Sequence, residues 1–291
     1  MNEKKAIVVE GGAMRGVFAS GVLDAFMEKN HSPYEAAFGV SAGASNLVGF
    51  LSQQPKRSIE VITKMATTKD FFNIRRAISG GSLADVKWLW EQSKLAFPID
   101  NQTLFSAIPL YVAVTNIKNG QAEYHKVTPD NIDKVMEATA ALPMIYKDTP
   151  CFDNQCYTDG GVADSIPVME AYRNGFKDIT VVLSRPLTFQ MKPLKYPRLV
   201  NALFSDNPRL VQAMLLREER YNASIEFIRN PPSDATVRVI APSPDYHVKR
   251  LTMDKRKLMA GYNMGKEEGF KHMIALQNLA GLNEENCHFC F

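Results

Sequence analysis

The sequence predicts an α/β fold: a mainly parallel central sheet covered by helices on both faces. Three observations favour this class. Short apolar runs alternate with stretches of helical spacing through the first half of the chain, glycine borders the first of these runs, and 45% of the 291 residues are hydrophobic. With 22% charged residues, the composition is that of an ordinary globular protein, and it excludes a disordered chain, a collagen-like repeat and a coiled coil.

Two strand–helix units open the chain. Each begins with a short apolar run, which predicts a buried strand, and continues with helical spacing or small residues; the ranges are 6–10, 15–29, 36–40 and 42–50. A hairpin signal at Lys118-Asn119-Gly120 then joins strands predicted at 111–116 and 122–126. The later elements are a helix that stops at Pro143, two strands and two further helices: 130–142, 179–183, 236–240, 210–228 and 254–279.

A single domain over residues 1–291 is predicted, because the chain has no internal repeat, low-complexity tract or long Gly/Ser linker. Its core, at about 6–183, carries the recognisable motifs. The segment at about 70–109 fits no strand–helix unit and contains Trp88 and Trp90, so it is predicted to be an inserted helical lobe.

The C-terminal extension, at about 197–291, combines helices with one strand and carries no motif. Glycine is a poor helix former, so three glycines in its last helix are expected to weaken that helix: Gly261, Gly265 and Gly269.

The four cysteines fall as two pairs, Cys151/Cys156 and Cys287/Cys290. A two-residue turn at Asp153-Asn154 would bring the first pair face to face, close enough to bridge under oxidising conditions. In a reducing cytosol free thiols are expected. The second pair is interpreted as ordinary small side chains, and no metal site is predicted because the pairs lie far apart in sequence.

Charge and hydropathy restrict the compartment and the partners. The formal net charge of +3 is too balanced for a dedicated nucleic-acid binder, so no nucleic acid is predicted as a partner. The first apolar run is too short for a signal peptide, and the uncharged stretch at 36–55 is too polar for a transmembrane helix. The chain is therefore expected to be soluble and cytoplasmic.

The sequence Gly39-Val40-Ser41-Ala42-Gly43 stands where a predicted strand ends and a helix begins, and it has the G-x-S-x-G pattern of a nucleophile elbow. Glycines at its ends keep the turn tight, because side chains there would collide with the neighbouring strand or helix. The hydroxyl of Ser41 would stand at a helix N-terminus, which favours developing negative charge. An ordinary turn with Ser41 as N-cap fits the pattern equally well.

A second glycine-rich turn, Glu10-Gly11-Gly12-Ala13-Met14-Arg15-Gly16, joins the first strand to the first helix. Its N–H groups are expected to form an anion-binding nest. The spacing fits neither the dinucleotide fingerprint nor a Walker A loop. Turns after neighbouring parallel strands share one sheet edge, so one can carry the nucleophile and the other the oxyanion donors. Arg15 either orients this loop or is a solvated first-turn residue.

A third motif, Asp159-Gly160-Gly161, follows a strand-like hairpin and supplies a carboxylate. A serine nucleophile needs a base. His247, His272 and His288 follow Asp159 in the order that a triad requires, but none stands in a short loop after a strand. A Ser–Asp dyad therefore fits the residues better than a triad.

The order of these three motifs resembles the patatin-like phospholipase family, as do Ala138-Thr139-Ala140-Ala141-Leu142-Pro143 before the aspartate and Pro167 after it. The resemblance spans roughly 6–183 and implies a three-layer sandwich. It assigns Ser41 as nucleophile, Asp159 as base and the loop at 11–16 as the oxyanion site. The supporting residues that it implies are the six loop residues and four glycines of the elbow and turn: Gly11, Gly12, Ala13, Met14, Arg15, Gly16, Gly39, Gly43, Gly160 and Gly161.

The family's oxyanion loop reads G-G-G-x-R-G, and here Ala13 replaces the third glycine. A methyl group is tolerable there if the φ angle of Ala13 is negative. The resemblance implies hydrolysis of the carboxylic esters of lipids or phospholipids, without a metal or cofactor. Two alternatives stay open: an acyltransferase or thioesterase that uses the same serine, and a catalytically silent lipid-binding protein.

Peripheral contact with a membrane, at its inner face, is also predicted. Aromatic residues gather around Trp88 and Trp90 beside Arg75 and Arg76, and a basic cluster spans 249–257. An equally open interpretation is that the tryptophans fill the core of the lobe and the basic cluster is a solvated helix face.

Overall fold

The central element is one sheet of eight strands in the computed structural model, which describes the backbone of residues 3–287 and the side chains of residues 3–279. The strands are β1 (Lys5–Val9), β2 (Ala36–Gly39), β3 (Leu110–Asn116), β4 (Ala122–Lys126), β5 (Cys151–Phe152), β6 (Gln155–Asp159), β7 (Asp178–Val182) and β8 (Thr236–Ile240). Their order across the sheet is β5-β6-β3-β2-β1-β7-β8, and β4 pairs with β3.

Twelve α-helices occur in the described backbone, with short 3₁₀ turns at Ala13–Gly16 and Gly160–Val162. The helices are α1 (Val17–Glu28), α2 (Ala42–Leu51), α3 (Arg57–Lys64), α4 (Ile74–Ile78), α5 (Val86–Ala96), α6 (Asn101–Ser106), α7 (Ile132–Ala140), α8 (Val168–Arg173), α9 (Pro197–Leu203), α10 (Pro208–Leu215), α11 (Arg217–Arg229) and α12 (Lys255–Cys287). The single helix predicted at 210–228 is two helices, α10 and α11, which are separated at Leu216.

The sheet is mainly parallel, as predicted. Strands β3, β2, β1, β7 and β8 pair in parallel, whereas β4 and β6 pair antiparallel with β3. On β3, strand β6 pairs with Val114–Asn116, beyond the residues that pair with β2. The last residue of β6, Asp159, is thereby held opposite Val114, close to the ends of the parallel strands.

Both faces of the sheet are buried, because successive side chains of a strand point in opposite directions. Ile7 and Val9 of β1 pack into one apolar core with α1, α2 and α7. Ala6 and Val8 pack into a second core with α8 and α11. The predicted covering of the sheet by helices on both faces is confirmed.

Helix α12 packs along α1, and its glycines lie in the contact. A Cβ atom at Gly265 would lie 1.9 Å from the carbonyl oxygen of Phe18, and one at Gly269 would lie 2.9 Å from Cβ of Ala25. The predicted helix forms in spite of these glycines, and their missing side chains allow the two backbones to approach. A hydrogen bond from the Tyr262 hydroxyl to Asp24 Oδ2, 2.7 Å long, adds to the same contact.

The segment predicted as an inserted lobe contains α4, α5 and α6, and each helix begins after an Asn or Asp that caps it. Asn73, Asp85 and Asp100 accept hydrogen bonds from backbone N–H groups three residues later, at 3.0–3.1 Å. The indole Nε1 of Trp90 donates to Asp133 of α7 at 2.7 Å, which fixes α5 against the core.

The expectation of free thiols at Cys151 and Cys156 is wrong for this structure, because their sulfur atoms are bonded at 2.04 Å. Asp153 and Asn154 both have positive φ angles, 51° and 58°, and form the two-residue turn. This turn sets the cysteines directly opposite each other, with Cα atoms 4.1 Å apart. The interpretation of Cys287 and Cys290 concerns side chains outside the described residues.

Within the described part of the chain, no helix combines the length and apolar character that crossing a membrane requires.

Candidate active site

Ser41 occupies the sharp turn between β2 and α2, with φ 52° and ψ −124°. Residues other than glycine rarely adopt a positive φ angle, so the backbone of Ser41 is strained and must be held in place by its neighbours. The N–H of Ser41 donates to Thr139 Oγ1 at 2.8 Å, and that hydroxyl donates to the carbonyl oxygen of Ala113 at 2.7 Å. Helix α7 and strand β3 therefore fix the backbone of the elbow.

The glycines at the two ends of the elbow lie in crowded positions. A Cβ atom at Gly43 would lie 2.4 Å from the carbonyl oxygen of Val9, and one at Gly39 would lie 2.7 Å from Cα of Ala44. A side chain at either position would push α2 away from β1 or β2. The close approach keeps Ser41 beside the loop that follows β1.

Asp159 is buried at the end of β6, with 3% of its surface exposed. Its N–H donates to the carbonyl oxygen of Ala141 at 3.0 Å, and its carbonyl oxygen accepts from the Thr115 hydroxyl at 2.8 Å. Its carboxylate accepts from the N–H of Gly161 at 2.7 Å. The next residue, Gly160, packs against β3, where a Cβ atom would lie 2.0 Å from the carbonyl oxygen of Ala113.

Ser41 and Asp159 line one small pocket. Burial raises the pKa of Asp159 above its ordinary value, although the charge of Arg217, the nearby Ser41 hydroxyl and the hydrogen bond from Gly161 act in the opposite direction. A more basic carboxylate is a better proton acceptor near neutral pH. Within the described residues, no histidine lines this pocket.

The loop at 11–16 follows β1 and borders the same pocket. Three of its N–H groups have partners in the protein: Gly11 donates to Ser165, Met14 to Arg250 and Arg15 to Gly12. Among the described residues, three N–H groups beside the serine donate no hydrogen bond: those of Gly12, Ala13 and Ala42. Ala42, the residue after the serine, is a candidate oxyanion donor that the sequence reasoning did not single out.

Arg15 is buried rather than solvated. Its Nε donates to Ser184 Oγ at 3.3 Å, and the N–H of Ser184 donates to Glu10 Oε2 at 2.6 Å. Burial lowers the pKa of Arg15 to about 10, although the charge of Glu10 raises it. This network joins the loop to the end of β7, so the position of Arg15 favours the interpretation that it orients the loop.

Ala13 has a φ angle of 49°, so the condition that made its methyl group tolerable is not met. This conformation costs an L-residue about 1–2 kcal/mol relative to glycine. The strain lies directly at one of the three free N–H groups.

We therefore expect Ala13→Gly to increase the free energy of unfolding by about 0.5–1 kcal/mol, because relief of strain exceeds the added entropy of the unfolded chain. Urea unfolding of the purified protein measures this change. The matched control is Ala260→Gly, at an exposed position of α12, which is expected to lose about 1 kcal/mol. A loss of similar size at Ala13 would contradict the strain.

Three arginines near Ser41 and Asp159 belong to no motif and were not predicted as site residues: Arg185, Arg217 and Arg250. Arg217 and Arg250 line the pocket of Ser41 and Asp159, and Arg185 adds positive charge close to both. All three come from beyond residue 183, where the sequence shows no pattern that places them at the site. Of the three, only Arg250 was noted from the sequence, as part of the basic cluster at 249–257.

A larger, mainly apolar cavity also borders Ser41. Its walls come largely from α3, α5 and the segment before α4, and they include Val61, Ile62, Phe71, Leu89 and Trp90. The lobe therefore faces the candidate nucleophile, and Trp90 lines this cavity instead of projecting outward.

Two sequence families match the chain. The family described as Patatin-like phospholipase matches residues 7–172, and one described as a domain of unknown function (DUF6363) matches residues 207–280. The first match contains Ser41, Asp159 and the loop at 11–16, and the second contains Arg217 and Arg250.

Individual proteins resemble the chain to different extents. The uncharacterized protein YjjU of Escherichia coli (strain K12) is 32% identical over 266 residues, which are 90% of this chain and 74% of that protein. The 1-acylglycerol-3-phosphate O-acyltransferase Pnpla3 of Mus musculus is 26% identical over 149 residues, 46% of this chain and 33% of that protein. The chain thus spans about a third of the length of that relative.

Among solved structures, VipD from Legionella pneumophila matches with a TM-score of 0.43 at 13% identity, covering 93% of this chain and 66% of that chain. The patatin-like match covers more than half of the sequence, and it includes all three of the ordered motifs. The chain belongs to the patatin-like phospholipase family.

Proposed function

We propose that the protein is a serine acyl hydrolase that cleaves carboxylic esters of lipids through a Ser41–Asp159 dyad. The observation that carries this proposal is that a strained elbow serine and a buried carboxylate line the same small pocket. The hydroxyl also lies between unpaired N–H donors and an apolar cavity.

In the proposed reaction Asp159 accepts the Ser41 proton while Oγ attacks the ester carbonyl. The N–H groups of Gly12, Ala13 and Ala42 stabilise the oxyanion; loss of one such donor typically reduces turnover about 10²–10³-fold. The proton passes from Asp159 to the departing alcohol. Asp159 then deprotonates a water molecule, which attacks the acyl-enzyme and releases the fatty acid.

The apolar cavity suits the acyl chain of the substrate. Its side chains are mainly aliphatic and aromatic, and Ser41 is one of its lining residues. Burial of each methylene group of a fatty acid contributes about 0.8 kcal/mol, so a cavity of this kind favours acyl chains over compact acids.

Hydrolysis of a chromogenic short-chain ester by the purified protein, run beside a short-chain glycerophospholipid, tests the proposal. Release of the chromophore and of fatty acid is expected from the wild-type protein and not from Ser41→Ala. Equal rates in the two proteins would assign the hydrolysis to a contaminant and overturn the proposal.

The pH dependence of kcat/KM is expected to show an acid limb above the ordinary titration range of aspartate. The base works only as a carboxylate, and burial raises the pKa of Asp159. Activity should therefore fall as the pH drops through this raised pKa and recover when the pH is restored. A pH–rate profile measured with an uncharged ester, within the range where the protein stays folded, determines the limb. A profile that stays flat down to about pH 4 would contradict a buried carboxylate base.

A second candidate function is acyl transfer, favoured by the name of the mouse relative, an O-acyltransferase. The same acyl-enzyme would be attacked by an alcohol instead of water. Adding glycerol to the ester assay distinguishes the two, because a transferase forms acylglycerol at the expense of free fatty acid. A catalytically silent lipid-binding protein would do neither.

We also propose peripheral contact with a membrane on its cytoplasmic side, through the lobe. Ile74 and Ile78 of α4 are 62% and 83% exposed, and Arg75 stands exposed between them. Arg76 has a structural role instead, because its guanidinium donates to the carbonyl oxygens of Asp70, Phe71 and Ser82. Exposed isoleucines beside a cation suit the boundary of an anionic membrane.

Vesicle co-sedimentation of the Ser41→Ala protein tests this contact without hydrolysis. Binding is expected to rise with the fraction of anionic lipid, to fall with salt, and to weaken in Ile78→Ser. The control, Ile274→Ser, removes an isoleucine of α12 that is 56% exposed and should bind normally. Absence of binding to anionic vesicles at low salt would overturn the proposal.

A further inference from the structure

Two cationic side chains from the C-terminal part of the chain complete the pocket around the dyad. Arg217 is the first residue of α11, and Arg250 lies in the loop before α12. Both line the small pocket that contains Ser41 and Asp159, although neither belongs to the segment that matches the patatin-like family.

Neither side chain is neutralised by the protein. Among the described residues, the guanidinium groups of Arg217 and Arg250 form no ion pair within 4.0 Å and donate no hydrogen bond, and Nε of Arg217 is buried without a partner. By contrast, Arg238 on the outer strand β8 pairs with Asp178. Both arginines are only partly exposed, and a half-buried cation without an acceptor is unfavourable, which favours a site that receives its acceptor from a ligand.

The surrounding charges reinforce this imbalance. The pKa of Arg217 lies below its usual range because of burial first, and then because of the charge of Arg250. The nearby carboxylates of Asp159 and Glu10 offset only part of the positive charge, since Arg15 and Arg185 stand in the same cluster. An anion in this pocket would lower the repulsion among the arginines.

The position of Ser41, which lines both pockets, indicates which part of a bound ester the two arginines would contact. The apolar cavity and the cationic pocket meet at four residues: Ala13, Ser41, Leu142 and Arg250. An ester carbonyl at Ser41 therefore borders both a largely apolar cavity and a smaller pocket that contains Arg217 and Arg250. The acyl chain suits the apolar cavity, which leaves the alcohol portion of the ester to the cationic pocket.

We infer that Arg217 and Arg250 form a subsite for a phosphate group on the alcohol portion of the acyl ester, so that the C-terminal region determines the charge preference of the enzyme. This inference rests on the proposed hydrolase function. The planar guanidinium presents paired N–H donors that match phosphate oxygens, which an ammonium group does not.

Three esters with the same short acyl chains, used below their micelle concentrations, test the inference: a neutral diacylglycerol, a phosphatidylcholine and a phosphatidic acid. The wild-type protein is expected to show a kcat/KM for phosphatidic acid at least tenfold above that for the diacylglycerol. Arg217→Gln and Arg250→Gln should each reduce this ratio about tenfold, mainly through KM for the phosphate esters. The matched control, Arg209→Gln, removes an exposed arginine of α10 and should keep the ratio.

The ratio separates recognition of phosphate from support of Asp159, because a change in the base lowers the rates with all three esters together. Arg217→Lys, which keeps the charge but not the paired donors, is expected to recover part of the preference. Hydrolysis of all three esters with equal kcat/KM, or a ratio that survives both Gln variants, would overturn the inference and leave the hydrolase function standing.

If the wild-type protein hydrolyses none of the esters, the proposed function fails, and a binding measurement tests the phosphate subsite separately. Calorimetric titration of the Ser41→Ala protein with short-chain phosphatidic acid is then expected to show binding that Arg217→Gln weakens at least tenfold. Affinity that is unchanged in the Gln variant would overturn the subsite as well.

Discussion

Ser41→Ala and Asp159→Asn are each expected to reduce ester hydrolysis by at least about 10³-fold, because each removes a member of one catalytic unit. Without the hydroxyl no acyl-enzyme forms, and without the carboxylate the hydroxyl has no proton acceptor. Members of one unit are not additive, so the double variant should be no slower than the slower single variant. Initial rates with the chromogenic ester measure all three proteins.

Folding must be shown to survive these changes. The bond that holds the elbow is donated by the backbone N–H of Ser41, which alanine keeps, so Ser41→Ala should unfold at the wild-type temperature. Asp159 has a raised pKa in the folded state, so any stability linked to it is lost as the pH rises through that value. At neutral pH, Asp159→Asn should therefore be at least as stable as the wild-type protein.

Histidine variants provide the contrasting case. His247→Ala and His272→Ala are expected to keep activity within a few-fold of the wild-type value, because neither residue lines the pocket of the dyad. His272 is a neighbour of His31 and Phe26 between α1 and α12. A folded but inactive variant at either histidine would contradict the dyad and restore the triad.

The sequence predicted the elements whose reasons are local. Runs of apolar residues located β1 and β2 to within one residue at each end, and the glycines around Ser41 located the elbow. These features depend on neighbours in sequence: strand burial, a tight turn and the start of a helix. The three ordered motifs could therefore be read from the chain, and with them the proximity of Ser41, Asp159 and the loop at 11–16.

The features that escaped prediction depend on contacts between distant segments. Arg217 and Arg250 reach Asp159 only because α11 and the loop before α12 pack beside the ends of the parallel strands. The positive φ of Ala13 follows from the loop geometry and has no signature in residue type. From sequence alone, Gly265 only lowers the helix propensity of its segment. Its role in the close contact with α1 becomes visible only when the partner helix is known.

At the contact between α1 and α12, a single added methyl group is expected to lower the stability of the protein strongly. In an isolated helix, Gly→Ala is favourable by about 1 kcal/mol. At Gly265 the added Cβ would lie 1.9 Å from the carbonyl oxygen of Phe18, far inside van der Waals contact. The helices must separate to accommodate it, and the apolar contacts along both must loosen.

We therefore expect Gly265→Ala to reduce the free energy of unfolding by about 3 kcal/mol, at the upper end of what overpacking costs, in spite of the better helix propensity. The matched control is Asn263→Ala, on the exposed face of the same helix. Alanine has the higher helix propensity and its side chain causes no clash there, so stability should rise slightly. Urea unfolding followed by circular dichroism gives both values. Because α1 begins directly after the loop at 11–16, the Gly265→Ala protein should also hydrolyse esters more slowly while it is still folded. A Gly265→Ala protein as stable as the control would show that the two backbones do not approach as closely as the structure places them.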